Sequence, residues 1–263
     1  MLDHPGWELL PQPTRALRTP TGTWLIRATE HYTPVLLGGG GTAPHLDIYD
    51  PADLRDISLP AGLAGALDAL GPVRRLRNTD LWDALVTAII RQVIRAGQAR
   101  TMYRALLNAE GPRAGTICLA PVAEQILAMP EQSFNMLGMA FKRRPLQAAA
   151  DAYLRHHDEW AAMPGDALVK ALQAVPRIGP WTAGAAVADH TGDFSIYPYG
   201  DLAVRTWAAR ADPASAWPDD ETTFAALWRE LAGPHLSTLT ALTLAWGDQH
   251  VRKPPAHPDT TVP

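Results

Sequence analysis

The stretch AVPRIGPWTAG at residues 174–184 constrains the fold most, because it sets two prolines and a glycine between segments of helical periodicity. Pro176 cannot continue the preceding helix, since its ring excludes the helical backbone and it has no N–H group. Pro180 suits the first turn of the next helix, and Gly179 can adopt a positive φ. The sequence therefore predicts two helices joined by a tight corner, with amide groups at the second helix's start able to bind an anion. A plain pair of antiparallel helices is the alternative that these residues alone leave open.

The composition limits the class of protein. With 263 residues the chain can bury a sizeable core, as one large domain or two modest ones. The single cysteine, Cys118, excludes an internal disulfide and any four-cysteine metal or iron–sulfur site. The N-terminus lacks the pattern of a signal peptide, and no apolar run is long enough to span a membrane. We therefore expect a cytoplasmic protein.

The charge is unevenly distributed. A formal net charge of −4 argues weakly against a nucleic-acid partner, but the basic residues are clustered. One segment without acidic residues contains Arg91, Arg95, Arg100 and Arg104. A second cluster consists of Lys142, Arg143 and Arg144. A solvated helix face explains any single arginine, whereas two such clusters beside a hairpin corner favour a nucleic-acid surface.

The segment patterns predict a mainly α protein with a small β-rich N-terminal part. Short β-type runs are GTWLIRA, TPVLLGG and HLDIYD, and from Asp80, a candidate N-cap, apolar residues recur at helical spacing. We expect an N-terminal α+β domain at 1–78 and a helical domain at 79–250. The proline-rich tail at 251–263 is expected to be disordered.

The run VPRIGPWTAG…YPYGDLAVR resembles the helix–hairpin–helix DNA glycosylases, and among them the bacterial 3-methyladenine DNA glycosylase II type. The resemblance covers about residues 80–246 and extends weakly into the β-rich part. It implies a cleft between helical subdomains, a hairpin that binds a backbone phosphate of double-stranded DNA, and a catalytic aspartate at Asp201. It also implies a monovalent cation, Na⁺ or K⁺, at hairpin carbonyls near Val175 and Ile178, with no other cofactor and no catalytic metal. After Gly200, Asp201 is also a good N-cap, and the two roles are compatible.

The residue that follows the hairpin bears on the reaction. Bifunctional relatives carry a nucleophilic lysine where this chain has Trp181, whereas the alkylpurine enzymes carry a tryptophan that stacks on the extruded base. Without an amine nucleophile no Schiff base forms, so the resemblance implies hydrolysis without strand cleavage. The helix AIIRQVIRAGQA retains Gln92 for the base pocket, and Tyr199 and Trp246 are candidates for further walls.

The remaining implied contacts are with the DNA duplex. In LGMAFKRR, Phe141 occupies the position of the side chain that fills the gap left by the extruded nucleotide, although a core aromatic is the alternative. The predicted phosphate contacts are Arg177, Ile178, Gly179, Trp181, Thr182, Lys142 and Arg143.

Several positions depart from the family pattern, so the lesion stays open. Arg177 replaces the usual hairpin glycine, Val93 replaces a glutamine, and Ala185 replaces an aromatic residue and leaves a roomier pocket. The sequence therefore predicts a monomeric, monofunctional glycosylase for 3-methyladenine, 7-alkylguanine or bulkier purine adducts. The alternatives are a non-catalytic DNA-binding module and a bifunctional glycosylase/lyase on oxidised bases that uses Lys170.

Overall fold

The chain forms two compact units that are each discontinuous in sequence. The computed structural model describes residues 3–29 and 31–252. The hairpin unit contains the residues up to Asp47 together with Arg75–Pro198, and the aspartate unit contains Ile48–Arg74 and the residues from Tyr199 onward. Each unit contains residues from both of the domains predicted along the chain, 1–78 and 79–250. The division into those two domains stays a prediction. The first two residues of the predicted tail at 251–263 are helical, and the rest lie outside the described residues.

Helices dominate the described residues, as predicted. The strands are β1 (Thr14–Arg18), β2 (Gly22–Ala28), β3 (Tyr32–Gly39), β4 (Leu46–Tyr49), β5 (Val73–Leu76), β6 (Arg113–Ala114) and β7 (Ile117–Cys118). The helices are α1 (Ala61–Leu70), α2 (Leu81–Arg91), α3 (Ala96–Glu110), α4 (Ala123–Ala128), α5 (Glu131–Met136), α6 (Arg143–Ala161), α7 (Gly165–Gln173), α8 (Pro180–Thr191), α9 (Leu202–Ala211), α10 (Glu221–Ala232) and α11 (Leu236–Arg252). Short 3₁₀ helices lie at Pro51–Leu54, Ala140–Lys142 and Gly233–His235. No helix in the described ranges has the length and apolar character needed to cross a membrane.

The hairpin unit contains an antiparallel sheet of order β1-β2-β3. Its buried face joins the segments before and after it in a small apolar core made of Trp7, Leu17, Trp24, Ile26, Ala28 and Leu76. The sequence predicts β2 and β3 but misses β1. The reason is Arg15, which is buried on the same face as Leu17 and so hides the apolar alternation of the strand.

α2 is the central helix of the hairpin unit. All residues from Leu81 to Ile90 are buried, including the polar Asp83 and Thr87, so the helix is packed on every side. Asp80 caps its start as predicted, with the carboxylate accepting a hydrogen bond from the Asp83 amide at 3.2 Å. The helical periodicity of the sequence continues beyond Arg91, but the helix ends there because Val93 adopts a left-handed backbone with φ of 62°.

α8 packs against α2 and α7 through a run of small residues. Its buried residues include Ala183, Gly184, Ala185, Ala186, Val187 and Ala188. A side chain at Gly184 would lie 2.9 Å from the Ile196 carbonyl oxygen, so the returning chain approaches the helix backbone directly. Small residues therefore let α8 sit deep in the unit, which holds the corner at its N-terminus in place.

A buried ionic network joins α8 to the N-terminal segment and the sheet. Arg75 binds both Asp3 and Asp189, and Asn78 donates to Asp189 at 2.9 Å. Burial raises the pKa of Asp189, but the positive groups around it, Arg75 foremost, together outweigh burial, and the pKa lies below the usual range. Arg15 pairs with Asp83 of α2 at 3.1 Å. Because charged residues usually indicate a surface, sequence patterns gave no sign of this network.

The aspartate unit is built from α1, α9, α10 and α11. Its core contains the closely packed rings of Trp217, Phe224 and Trp228, with centroids 5.3–6.1 Å apart. α11 packs against α9, where the Trp207 ring lies directly over the backbone of Gly247. These contacts fix the direction of α9, the helix that begins after Asp201.

Candidate functional site

The predicted site residues fall in both units. The hairpin unit carries Gln92, Phe141, Lys142, Arg143 and the corner from Val175 to Thr182, while the aspartate unit carries Tyr199, Asp201 and Trp246.

The corner is a tight turn between α7 and α8. The amide of Val175 donates to the Leu172 carbonyl, and that of Ile178 donates to the Val175 carbonyl, both at 3.1 Å. The prediction of a positive φ at Gly179 is wrong, because its φ is −85°. The left-handed residue is Arg177, with φ of 70°. The chain therefore accepts a strained arginine at the position where a glycine would fit without strain.

The start of α8 leaves several amide groups without a protein acceptor. Pro180 occupies the first turn as predicted, and Gly179 at the N-cap has no side chain to cap the helix. In the part of the chain that the structure describes, the amides of Gly179, Trp181 and Thr182 donate no hydrogen bond. Such amides at the positive end of a helix dipole can bind a phosphate oxygen. Ile178 differs, because its side chain is buried and its amide is used inside the turn, so its predicted phosphate contact is not available.

Gln92 braces the corner from the end of α2. Its side-chain amide donates to the Thr182 hydroxyl at 2.7 Å and to the Arg177 carbonyl at 3.3 Å. Two carbonyls of the corner, those of Val175 and Arg177, therefore already accept hydrogen bonds. The predicted cation near Val175 and Ile178, and a place for Gln92 in a base pocket, both stay predictions.

The side chains on the α8 side of the corner differ in exposure. Trp181, at the second position of α8, is partly exposed, and Thr182 is buried. The Arg177 side chain is exposed, and no ion-pair partner for it occurs among the described residues. The corner therefore exposes the side chain of Arg177 and part of Trp181.

Phe141 lies on the 3₁₀ helix at Ala140–Lys142, and 57% of its surface is exposed. A core position for this ring is therefore excluded. Arg143 forms an ion pair with Glu131 at 2.7 Å, and its phosphate contact stays a prediction. Lys142 is buried, and its ammonium donates to the carbonyls of Ile89 and Gln92 at 2.7 and 2.8 Å. The predicted phosphate contact of Lys142 is therefore wrong.

Two of the clustered arginines on α3 face the protein. The guanidinium of Arg100 donates to the Trp7 carbonyl at 3.4 Å, and Arg104 pairs with Glu8 at 3.0 Å. Arg95 is exposed, and Arg91 is partly exposed. The acid-free cluster is thus split between structural contacts and the surface.

Asp201 occupies the N-cap of α9 without capping it. Its backbone is extended and its carbonyl accepts the Arg205 amide, yet its side chain makes no hydrogen bond to the helix's own amides. The other aspartates at N-caps in the described residues, Asp50, Asp80 and Asp220, each accept such a bond. The carboxylate of Asp201 is therefore not committed to the role that the local sequence predicts for it.

The backbone before Asp201 is held closely by its own unit. A side chain at Gly200 would meet the Cγ and the carbonyl oxygen of Glu221, each at 2.9 Å. Arg205 donates from Nε to the Gly200 carbonyl at 3.0 Å and also binds the Asp219 carbonyl. These contacts hold the chain at Gly200, directly before Asp201, beside the start of α10, and nothing in the sequence pattern indicated the role of Arg205.

The two other aromatic candidates of the aspartate unit have local partners. Tyr199 is buried, and its hydroxyl accepts a hydrogen bond from Nε of Arg229 at 2.9 Å, with the guanidinium over the ring. Trp246 stacks on His250, one turn further along α11, at a centroid distance of 3.7 Å. One face of each ring is therefore covered, and their contact with a base stays a prediction.

Metal-ligating side chains do not gather in the described residues. No group of three among His, Cys, Asp and Glu lies close enough to hold an ion there. His156 and His157, adjacent on α6, pair instead with Glu159 and Asp158.

Comparison with solved structures shows which known fold this chain shares. A 3-methyladenine DNA glycosylase from Archaeoglobus fulgidus matches with a TM-score of 0.71 and 16% identity, covering 94% of each chain. An 8-oxoguanine glycosylase/lyase from Clostridium acetobutylicum matches with a TM-score of 0.67 and 14% identity, over 93% of this chain and 89% of that one. This chain has the fold of the helix–hairpin–helix DNA glycosylases. The match also holds for a Schizosaccharomyces pombe 3-methyladenine DNA glycosylase in complex with abasic DNA, with a TM-score of 0.62, 17% identity and coverage of 73% and 93%.

Sequence comparison does not detect this likeness. No model of a protein family matches the chain, and no curated protein sequence matches it. The match to the Archaeoglobus fulgidus structure covers 94% of this chain, so the shared fold includes both the β-rich part and the helical part.

Proposed function

We propose that this protein is a monofunctional DNA N-glycosylase that hydrolyses the N-glycosidic bond of alkylated purines in duplex DNA. The observation that carries the proposal is the Asp201 carboxylate, which sits at a helix N-cap without capping the helix in a chain of this fold. Solved structures of this fold include 3-methyladenine glycosylases and 8-oxoguanine glycosylase/lyases. The residues of this chain favour the hydrolytic class.

Hydrolysis of the N-glycosidic bond of an alkylated purine requires mainly a correctly positioned carboxylate. Breaking the bond between base and sugar develops positive charge at C1′ and the ring oxygen, which a carboxylate stabilises. Asp201 is assigned this role, together with the orientation of the attacking water. A purine alkylated on a ring nitrogen already carries positive charge and leaves as a neutral base, so a strong general acid is not required.

Hydrolysis without strand cleavage follows from the side chain after the hairpin. A lyase step needs an amine that forms a Schiff base with C1′. Trp181 holds the position that the resemblance assigns to that amine, and Lys170 is exposed on the last turn of α7. Trp181 is assigned instead to stacking on the extruded base, an interaction worth about 1–3 kcal/mol per base.

The hairpin is assigned to the DNA backbone. The amides of Gly179, Trp181 and Thr182 bind a phosphate, and Arg177 adds a positive charge beside it. The exposed ring of Phe141 fills the gap that the extruded nucleotide leaves.

The test measures base release from DNA that has been methylated or treated with bulkier alkylating agents. Mass spectrometry identifies the released bases, with wild type compared to Asp201→Asn. Wild type releases alkylated purines and leaves abasic sites, while Asp201→Asn binds the same DNA without turnover. Salt-sensitive binding with no released base would indicate a non-catalytic module. A covalent adduct trapped by borohydride would indicate a lyase and contradict the monofunctional assignment.

Trp181→Ala tests the stacking role separately. We expect base release to fall by about 10–100-fold, because one base–aromatic contact is lost, while affinity for undamaged duplex stays near wild type. Equal loss of both quantities would assign Trp181 to general DNA binding.

A further inference from the structure

Lys142 is a buried ammonium group that the proposed reaction does not use. Only 2% of its surface is exposed. Its Nζ lies 2.7 Å from the Ile89 carbonyl oxygen and 2.8 Å from that of Gln92, so it binds the last carbonyls of α2 and its C-cap. Burial lowers the pKa of Lys142 to about 8, while carbonyls at the negative end of a helix favour its charged form. A methionine would fill the same volume without the cost of burying a charge.

The residue that Lys142 holds is the one that braces the hairpin. Gln92 accepts from Lys142 through its backbone carbonyl, and its side chain donates to Thr182 and to the Arg177 carbonyl. Lys142 itself directly follows Phe141 in the chain. A continuous set of hydrogen bonds therefore links the segment that presents Phe141, the end of α2 and the corner before α8.

The same contact holds a strained backbone. The Gln92 carbonyl belongs to the peptide that precedes Val93, whose φ is 62° and whose side chain is fully exposed. A β-branched residue in this region persists only where its surroundings fix it, and such strain concentrates at functional sites. The ammonium of Lys142 supplies one of the contacts that fix it.

We infer that Lys142 is a positioning residue, which acts through Gln92 to hold the Phe141 segment and the phosphate-binding hairpin in one arrangement for nucleotide extrusion. The role in extrusion rests on the proposed glycosylase function, whereas the link between Lys142 and the hairpin can be measured without DNA. Lys142 would not touch the DNA itself, in contrast to the exposed Arg144 two residues later.

The first experiment uses the free protein. Hydrogen exchange of the peptide that covers residues 175–184 is compared among wild type, Lys142→Met, Gln92→Ala and the double variant. Each single change is expected to raise the exchange rate of this peptide. Because both changes break one chain of contacts, the rate increase in the double variant should be at least about threefold smaller than the product of the two single increases. Arg144→Met is the matched control and should leave the peptide unchanged. Unchanged exchange in Lys142→Met, or effects that simply multiply, would overturn the link.

The second experiment measures extrusion by the fluorescence of 2-aminopurine placed beside a damaged nucleotide, with duplex affinity followed by anisotropy. Lys142→Met should reduce the fluorescence rise at saturating protein, with affinity for undamaged duplex changed by no more than about twofold. Arg144→Met should show the reverse pattern, because an exposed charge contributes mainly to binding. If wild type extrudes the nucleotide and Lys142→Met does so equally well, the positioning role is wrong. If wild type extrudes no nucleotide and releases no base, the proposed function fails and this role with it, while the exchange data still decide the link to the hairpin.

Circular dichroism and melting curves show whether each variant folds. Where Lys142→Met does not fold, Lys142→Arg takes its place in both experiments. Arginine keeps a buried cation, but its planar fork cannot set one nitrogen between two carbonyls as an ammonium does. A partial loss of the link is expected from Lys142→Arg, and a link indistinguishable from wild type would contradict the geometry inferred for Lys142.

Discussion

The starts of α8 and α9 show two ways in which a helix N-terminus can be left without a side-chain cap. α8 begins after Gly179, which has no side chain, so its first amides stay open to an external anion. α9 begins after Asp201, whose carboxylate lies at the N-cap without bonding the amides. The first helix is suited to receive a negative charge, whereas the second carries its own.

The aspartates that cap other helices make this contrast informative. Asp80 and Asp220 stand at the same helix position as Asp201 and accept bonds from the Asp83 and Thr223 amides. An aspartate that serves the helix makes that bond, since the amides otherwise have no partner. The geometry of Asp201 therefore agrees with a role outside its own helix.

The largest expected effect is on catalysis. Asp201→Asn should lower the single-turnover rate of base release by a factor of about 10²–10⁴, because the amide cannot stabilise positive charge on the sugar or orient water as a carboxylate does. Asp220→Asn is the matched control, since asparagine caps a helix as well as aspartate does. It should leave the rate unchanged. Equal loss in both variants would show that the effect comes from the helix starts and not from chemistry.

A methyl group at Gly200 should displace the start of α9. It would meet Glu221 at 2.9 Å and the Ala225 Cβ at 3.2 Å, and such overpacking costs about 1–3 kcal/mol. We expect Gly200→Ala to lower both the free energy of unfolding and the rate of base release. Gly65→Ala, inside α1 of the same unit, is the control, because nothing lies within 4 Å of a Cβ there. That change should stabilise the protein by about 0.5–1 kcal/mol.

Sequence patterns predict the features that local chemistry decides. Pro180 in the first turn of α8, the cap at Asp80 and strand β2 all occur as expected. The features that sequence patterns miss depend on contacts distant in the chain. Arg15 is buried because it pairs with Asp83, which is 68 positions away in the chain. Lys142 is buried because its ammonium binds carbonyls at the end of α2.

The hairpin is the clearest case in which local sequence preference assigns a backbone conformation to the wrong residue. Local preference assigns the left-handed backbone to Gly179, but the structure places it at Arg177, where an L side chain is strained. The Arg177 carbonyl accepts from Gln92, a residue 85 positions away. That bond belongs to the tertiary structure, so local preference alone does not assign the strain to Arg177, although the glycine usual at this position in the resembled family agrees with it.

Removing the strain should separate stability from DNA binding at the hairpin. Arg177→Gly relieves a left-handed backbone, for a net gain of about 1 kcal/mol after the entropy cost of glycine, and removes one positive charge. We expect a higher melting temperature and a salt dependence of DNA affinity that is weaker by about one counterion. Val93→Gly should raise the melting temperature in the same way without changing the salt slope. A salt slope that stays at the wild-type value in Arg177→Gly would remove this residue from the phosphate contacts.

The smallest effect is on the stability contributed by the two N-cap aspartates of the aspartate unit. Asp220→Ala removes a carboxylate that bonds the Thr223 amide at 2.8 Å and should lower the melting temperature by about 2–4 °C. Asp201→Ala removes no capping bond and should shift it by less than Asp220→Ala does, even though it abolishes base release. Thermal melts of both variants at the same pH and salt measure the difference. A loss at Asp201→Ala as large as at Asp220→Ala would mean that the Asp201 carboxylate stabilises the folded chain, and the contrast between the two helix starts would then no longer support a catalytic role.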